Sequence, residues 1–160
     1  MKLHIRRATS DDIGDIVTLW GELNEDQIGK DPYYEGPLQF SGGNEQYRHA
    51  LSNEKCAIFV GEVDEKIIGY IEVWIHEPDF YFYSAKYGYI LHFFVKEKYR
   101  NATSAYKFYM AAQSYAEEVG VKYLAADVFE HNQRVIKLLE FVGLKPYRYR
   151  LVKELEGAKA

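Results

Sequence analysis

Apolar and polar positions along the chain alternate between two periods, and the changes of period mark its elements. Leu3 to Arg7 alternates as a short strand. Thr9 and Asp12 then stand at capping-box spacing, which predicts a helix from Ser10 to Asn24 with Ile13, Ile16, Val17, Trp20 and Leu23 as its apolar stripe. Glu25 to Asn44 is rich in Gly, Pro, Asp and Asn and reads as a long loop, followed by a short helix over Glu45 to Leu51. Strands are expected over Ala57 to Val63 and Ile67 to His76, joined across Asp64, Glu65 and Lys66, with a third from Tyr83 to Val95. These three predict an antiparallel meander. A helix over Ala102 to Val119 stops at Gly120, Tyr123 to Val128 forms a strand, and a helix over Asn132 to Val142 stops at Gly143. Tyr147 to Val152 reads as a last strand. The order predicts an α+β fold: a mixed, mainly antiparallel central sheet flanked by helices, with one strand-helix-strand crossover. It is read as a single domain over residues 1–153 and a polar tail over 154–160.

Composition narrows the function classes. No apolar run approaches the roughly 20 residues of a membrane span, and Met1 to Arg7 lacks a signal-peptide core, so the expectation is a cytoplasmic protein without a membrane partner. Lys and Arg number 20 against 24 Asp and Glu, so the net charge of −4 offers no footprint for nucleic acid. The 15 tyrosines and 9 phenylalanines suit strands better than base stacking, because no basic groove accompanies them. Cys56 opens a strand and reads as a buried structural thiol. His4, His49, His76, His92 and His131 lack ligand spacing, and a hairpin turning near residue 80 would set His92 opposite about residue 68. No metal is expected.

Between the apolar stretch ending at Val95 and the third helix lies a run of small residues: Arg100, Asn101, Ala102, Thr103, Ser104 and Ala105. A strand that empties into a helix start offers unpaired N–H groups and the positive end of a helix dipole, which suit a pyrophosphate. The run resembles the acyl-CoA loop of the GNAT superfamily of N-acyltransferases, in which Arg or Gln is followed by two free positions, Gly, one free position, and Gly or Ala. Arg100 and Ala105 fit, whereas Thr103 stands where the family has Gly. Helical dihedrals there would tolerate Thr, and its hydroxyl with that of Ser104 could donate to phosphate. A second stretch is similar to another family pattern: Asp127-Val128, then Asn132, Val135, Leu138 and Gly143-Leu144. There the resemblance implies that Asn132 contacts the pantetheine, while the residue by itself equally suits a helix cap. Leu139 occupies the place of the family's usual Tyr, the proposed proton donor to the departing thiolate.

The resemblance implies a GNAT-like fold and an N-acetyltransferase with acetyl-CoA as co-substrate and a small-molecule or protein amine as acceptor, reacting by direct attack in a ternary complex. The departures at Thr103 and Leu139 leave open a second reading, a weak or inactive GNAT-like domain that binds CoA or a metabolite as a sensor. By analogy, backbone N–H groups near Phe94 and Val95 would meet the acyl group and pantetheine. Family members often carry Glu or Asp on the equivalent strand near Leu91 and His92. Leu91 is inert, so His92 is the candidate base, against the alternative of a hydrogen-bonded core histidine. Alternation places Tyr70, Glu72, Trp74 and His76 on one face of their strand, where Glu72 either holds a cationic amine or is an exposed carboxylate. Tyr33, Tyr34 and Glu35, with Asp26 and Asp31, form an acidic aromatic loop suited to ammonium groups, or simply a solvated one. Only one strand is evident after the last helix, where the family commonly has two. That leaves the acceptor side open or completed by a second copy, as in a homodimer.

Overall fold

The computed structural model describes residues 2–33, 42–80, 82 and 84–157. Five strands, β1 (His4–Arg7), β2 (Cys56–Val63), β3 (Lys66–His76), β4 (Tyr87–Val95) and β5 (Tyr123–Ala126), form one sheet in chain order. Every neighbouring pair is antiparallel except β4 and β5, which run parallel across the crossover helix. Helices α1 (Ile13–Ile28) and α2 (Gly43–Ser52) cover one face, and α3 (Ala102–Val119) and α4 (Gln133–Phe141) cover the other. The alternation of β3 divides the core accordingly. Tyr70 packs with Ile16, Leu19 and Tyr47, while Ile71, Val73 and Ile75 pack with Phe108, Tyr109 and Ala112.

Local chemistry accounts for the element ends. The Thr9 N–H donates to Asp12 Oδ2 at 2.7 Å, and the chain enters α1 through a 3-10 turn at Ser10–Asp12. The helix passes the expected stop at Asn24 because that side chain is buried and donates back to the Trp20 carbonyl at 2.8 Å, so it supports the helix instead of ending it. Asp64 and Glu65, with φ of 50° and 61°, form a two-residue hairpin turn between β2 and β3.

Two glycines dock α3. Gly61 and Gly69 face each other across β2 and β3, and a Cβ on Gly61 would lie 2.4 Å from Phe108 Cζ. The missing side chains form the slot that the fully buried Phe108 ring fills, which fixes the first two turns of α3 against the sheet.

The expected last strand over Tyr147 to Val152 does not form. Its side chains find other partners: Tyr147 stacks on Phe82 at 5.6 Å, and Arg148 donates to the Phe80 carbonyl at 3.2 Å, with its guanidinium 5.0 Å from the Phe80 ring. Beyond them Tyr149 and Leu151 are exposed, so the alternation that suggests a strand has no sheet face to bury against.

Candidate active site

A register shift in β4 builds the centre of the site. His92 pairs with Glu72 and Ile90 pairs with Val73, so Leu91 is an extra residue bulged out of the ladder. In a regular strand Ile90 and His92 would share a face. The bulge separates them, leaving Ile90 in the α3 core and turning His92 toward the α1 and α2 side. The expected partner near residue 68 is therefore replaced by Glu72, because the hairpin closes later than residue 80 and the bulge adds one further step.

Glu72 is 1% exposed and is not an open carboxylate. Its Oε2 lies 2.7 Å from His92 Nδ1, and its Oε1 accepts from Trp74 Nε1–H at 2.7 Å. Its oxygens are thus committed within the fold, and the expectation that Glu72 binds an acceptor amine gives way to an internal role. Tyr47 of α2 reaches the same cluster, with its hydroxyl 2.8 Å from that of Tyr70 and 3.4 Å from His92 Nδ1. Burial, helped by the nearby Glu72 charge, pushes both phenols well above their ordinary values, so both stay neutral. Burial likewise raises the Cys56 thiol, which fits a structural role. Tyr47 carried no signal in the sequence beyond lying on the apolar side of a short helix. Tyr70 and Trp74 were legible from strand alternation, but their convergence with His92 depends on the bulge.

Next to this cluster the sheet opens. β5 pairs with β4 only through Tyr87 to Ile90, so among the described residues Leu91 to Val95 have no strand on that side. The Lys96 N–H donates to the Ile68 carbonyl at 2.8 Å, which sets the two-residue phase of the ladder. Phe94 therefore directs its N–H toward β3, and Val95 directs its own into the opening. The Val95 carbonyl points the same way and accepts from Arg100 Nε at 2.6 Å. Of the two expected N–H groups, the Val95 group is the one that faces the gap.

The opening leads to the N-terminus of α3. Asn101 is the N-cap, and its side chain accepts from the Ser104 N–H at 2.9 Å, which leaves the N–H groups of Ala102 and Thr103 for an external acceptor. Thr103 is exposed in the first helical turn, so its branched side chain is accommodated as expected. Ser104 is buried, and Ala105 continues the helix by bonding to the Asn101 carbonyl. The Arg100 guanidinium lies over the Phe94 ring at 5.0 Å and within 3.9 Å of Asp26 on α1. Asn132 is the N-cap of α4 but makes no side-chain capping bond, so the helix does not use its amide. Leu139 is partly buried against the α3 core.

Tyr33, expected to meet the acceptor, is 60% exposed and donates its N–H to Asp31 Oδ1 at 2.9 Å. It lines a cleft with Pro32, Val152 and Glu154. Tyr34 and Glu35 lie outside the described residues. No group of three or more potential metal ligands occurs among the described residues, and none of their helices is long and apolar enough to cross a membrane.

Comparison with known proteins bears on the fold and the family. A 26% identical relative, the uncharacterized N-acetyltransferase YhfO of Bacillus subtilis (strain 168), aligns over 88% of this chain and 89% of its own length. Among solved structures, a mutant of the BH1408 protein of Bacillus halodurans matches with a TM-score of 0.78 at 21% identity, over 95% of this chain and 99% of that one. The aminoglycoside N-acetyltransferase AAC(6')-Iy in complex with CoA matches with the same TM-score of 0.78 at 16% identity, over 97% of this chain and 95% of that one. These likenesses show the fold. The family model described as the acetyltransferase (GNAT) family matches residues 20–144, most of the chain, and the protein belongs to that family.

Proposed function

We propose that the protein is an N-acetyltransferase that moves an acetyl group from acetyl-CoA to a primary amine, by direct attack within a ternary complex and in the cytoplasm. The observation that carries this reading is the gap between β4 and β5, which leaves the Val95 N–H without a strand partner among the described residues, together with the N-terminus of α3 that follows β4 in the chain. The likeness to AAC(6')-Iy, solved with CoA and also with a CoA-acetylneamine bisubstrate analogue, supports CoA as donor carrier and a small-molecule amine as acceptor.

In this reading the N–H groups of Ala102 and Thr103 and the dipole of α3 hold the pyrophosphate. The strand edge of β4 aligns the pantetheine arm, with Asn132 positioned at the start of α4 to meet it. The Val95 N–H donates to the carbonyl oxygen of the thioester as negative charge develops there.

His92 takes a proton from the acceptor ammonium, freeing the nitrogen lone pair to form the new C–N bond. As the C–S bond breaks, its electrons leave with the thiolate, and the surplus proton of the new amide nitrogen returns to sulfur or passes to water. Leu139 supplies no proton, but a thiol with an ordinary pKa near ~8.5 leaves as the anion without one, so turnover is slowed and not blocked. Tyr33 and the loop that follows it supply aromatic and acidic groups for a cationic acceptor.

His92→Gln tests the base. We expect kcat to fall by about 10²–10⁴ with acetyl-CoA affinity retained. Normal acetyl transfer across pH in that variant would remove His92 from the mechanism.

A further inference from the structure

Glu72 is 1% exposed, its two oxygens each lie 2.7 Å from a ring nitrogen, and the two nitrogens differ in kind. The Trp74 indole nitrogen is always a donor. The His92 imidazole can present Nδ1 either as a donor or as a bare lone pair, according to its tautomer. A buried carboxylate only accepts, and at 2.7 Å from Nδ1 two facing lone pairs would repel. We propose that Trp74 and Glu72 together are positioning residues that hold His92 in its Nδ1–H tautomer, leaving Nε2 bare as the proton acceptor of the acetyl transfer. This rests on the reading of His92 as the base, but the tautomer can be observed without any turnover.

The geometry explains why both residues are needed. Glu72 and His92 are directly paired across β3 and β4, so their side chains meet on one face. Trp74 lies two residues along the same strand and face, and its Nε1–H occupies Oε1 at 2.7 Å, which directs Oε2 to the histidine. Tyr47 and Tyr70 flank the pair, their neutral hydroxyls bonded to each other at 2.8 Å. These hydroxyls rotate to suit either tautomer and so do not choose between them. The choice falls to the carboxylate. His92 keeps 22% of its side chain exposed, whereas Glu72 keeps 2%. Of the two, the imidazole is the one that reaches solvent.

Glu72→Gln separates this role from packing. A glutamine has one acceptor and one donor end, and the indole N–H can only face the acceptor. The amide NH2 must then point at His92 Nδ1, which becomes the acceptor, so the proton moves to Nε2. The nitrogen that should receive a proton is then already protonated. Adding Trp74→Phe removes the obligate donor, lets the glutamine carbonyl turn to His92, and restores the Nδ1–H form.

The test is 15N NMR of the His92 ring in the full-length protein, at a pH where the ring is neutral, together with kcat for acetyl transfer. The wild type should show a protonated Nδ1 and a bare Nε2. Glu72→Gln should reverse the two and lower kcat by about 10²–10⁴, matching loss of the base. Glu72→Gln/Trp74→Phe should return the wild-type tautomer and recover at least about tenfold of the lost rate, corresponding to about 1.4 kcal/mol of barrier. A protonated Nε2 in the wild type would overturn the proposal, and so would an unchanged tautomer in Glu72→Gln. If Glu72→Gln does not fold, the wild-type spectrum still decides the point. If the tautomers behave as described while His92→Gln keeps full activity, the assignment to Glu72 and Trp74 stands and the choice of His92 as base fails.

Discussion

The slot that receives Phe108 links the packing of the sheet to the position of the proposed phosphate site, and its energetics can be tested by a double-mutant cycle. Gly61→Ala would place a methyl group 2.4 Å from Phe108 Cζ, with Leu3 Cδ1 at 3.0 Å and Ile5 Cδ1 at 3.1 Å. The ring has no free side to move toward. Gly69 crowds it from the neighbouring strand, where a Cβ would lie 3.1 Å from the same atom, and Phe108 is 0% exposed. Overpacking of this kind costs about 1–3 kcal/mol. Phe108→Ala, by removing a buried aromatic, costs about 3–5 kcal/mol. In the double variant the main obstacle to the Gly61 methyl is gone, and only the flexible ends of Leu3 and Ile5 must adjust. The cost of Gly61→Ala should therefore nearly vanish, giving a coupling energy of about 1–3 kcal/mol. Urea unfolding of the four proteins measures it, with equal m-values confirming that only native-state stability has changed. For a chain of this size, Gly61→Ala alone should lower Tm by about 2–12 °C, taking about 2–4 °C per kcal/mol. Costs that add to within about 0.5 kcal/mol would refute the argument, because they would show that the glycine and the ring do not share the space.

Three other changes probe different parts of the account. Ala102→Pro removes one N–H at the first position of α3, where Pro is well tolerated, and the extended Asn101 (φ −149°, ψ 168°) suits a following proline. It should weaken acetyl-CoA binding about tenfold or more by calorimetry with little change in Tm, and unchanged binding would mean that this N–H meets no phosphate. Arg6 holds Asp12 through two bonds of 2.8 Å and keeps that carboxyl below the ordinary carboxylate range. The unfolded chain then takes up the proton first as pH falls, so this stabilisation is full above about pH 4 and disappears as pH drops through the folded value. Asp12→Asn should cost about 1.5–3 kcal/mol at pH 7 and progressively less below pH ~4, whereas a cost independent of pH would contradict the role of the charge. Cys56 is 3% exposed, and burial raises its thiol, so a thiol-reactive disulfide reagent should modify it only at the rate of unfolding. Immediate modification of the native protein would show that the strand opens locally.

Elements with their own periodicity and stop signals were legible in the sequence. Helix α3 runs from Ala102 to Val119 as expected because its small-residue start, its apolar face and Gly120 (φ 81°) agree with one another. The β2, β3 and β4 meander was also legible, since each strand has its own alternation. Events between strands were not. A bulge at Leu91 leaves no mark in composition, yet it decides that His92 meets Glu72, and a register estimated from one assumed turn position placed them apart. Alternation was equally silent on whether Glu72 faced solvent or lay beneath α2, because burial depends on a helix packed from elsewhere in the chain. At Tyr147 to Val152 the pattern suggested a strand, but local contacts from Tyr147 and Arg148 to Phe82 and Phe80 prevailed over pairing. The small-residue run pointed to the helix start, but the direction of the Val95 N–H required the phase of the ladder set by Lys96 and Ile68.

The most direct test of the proposed function is acetyl-CoA binding by calorimetry, followed in the same preparation by thiol release against a panel of primary amines. Binding together with amine-dependent thiol release is the predicted result, and the amine that gives the highest kcat/KM identifies the acceptor class. Absence of binding would contradict the account, because it would mean that the gap beside β4 and the start of α3 do not form a CoA site.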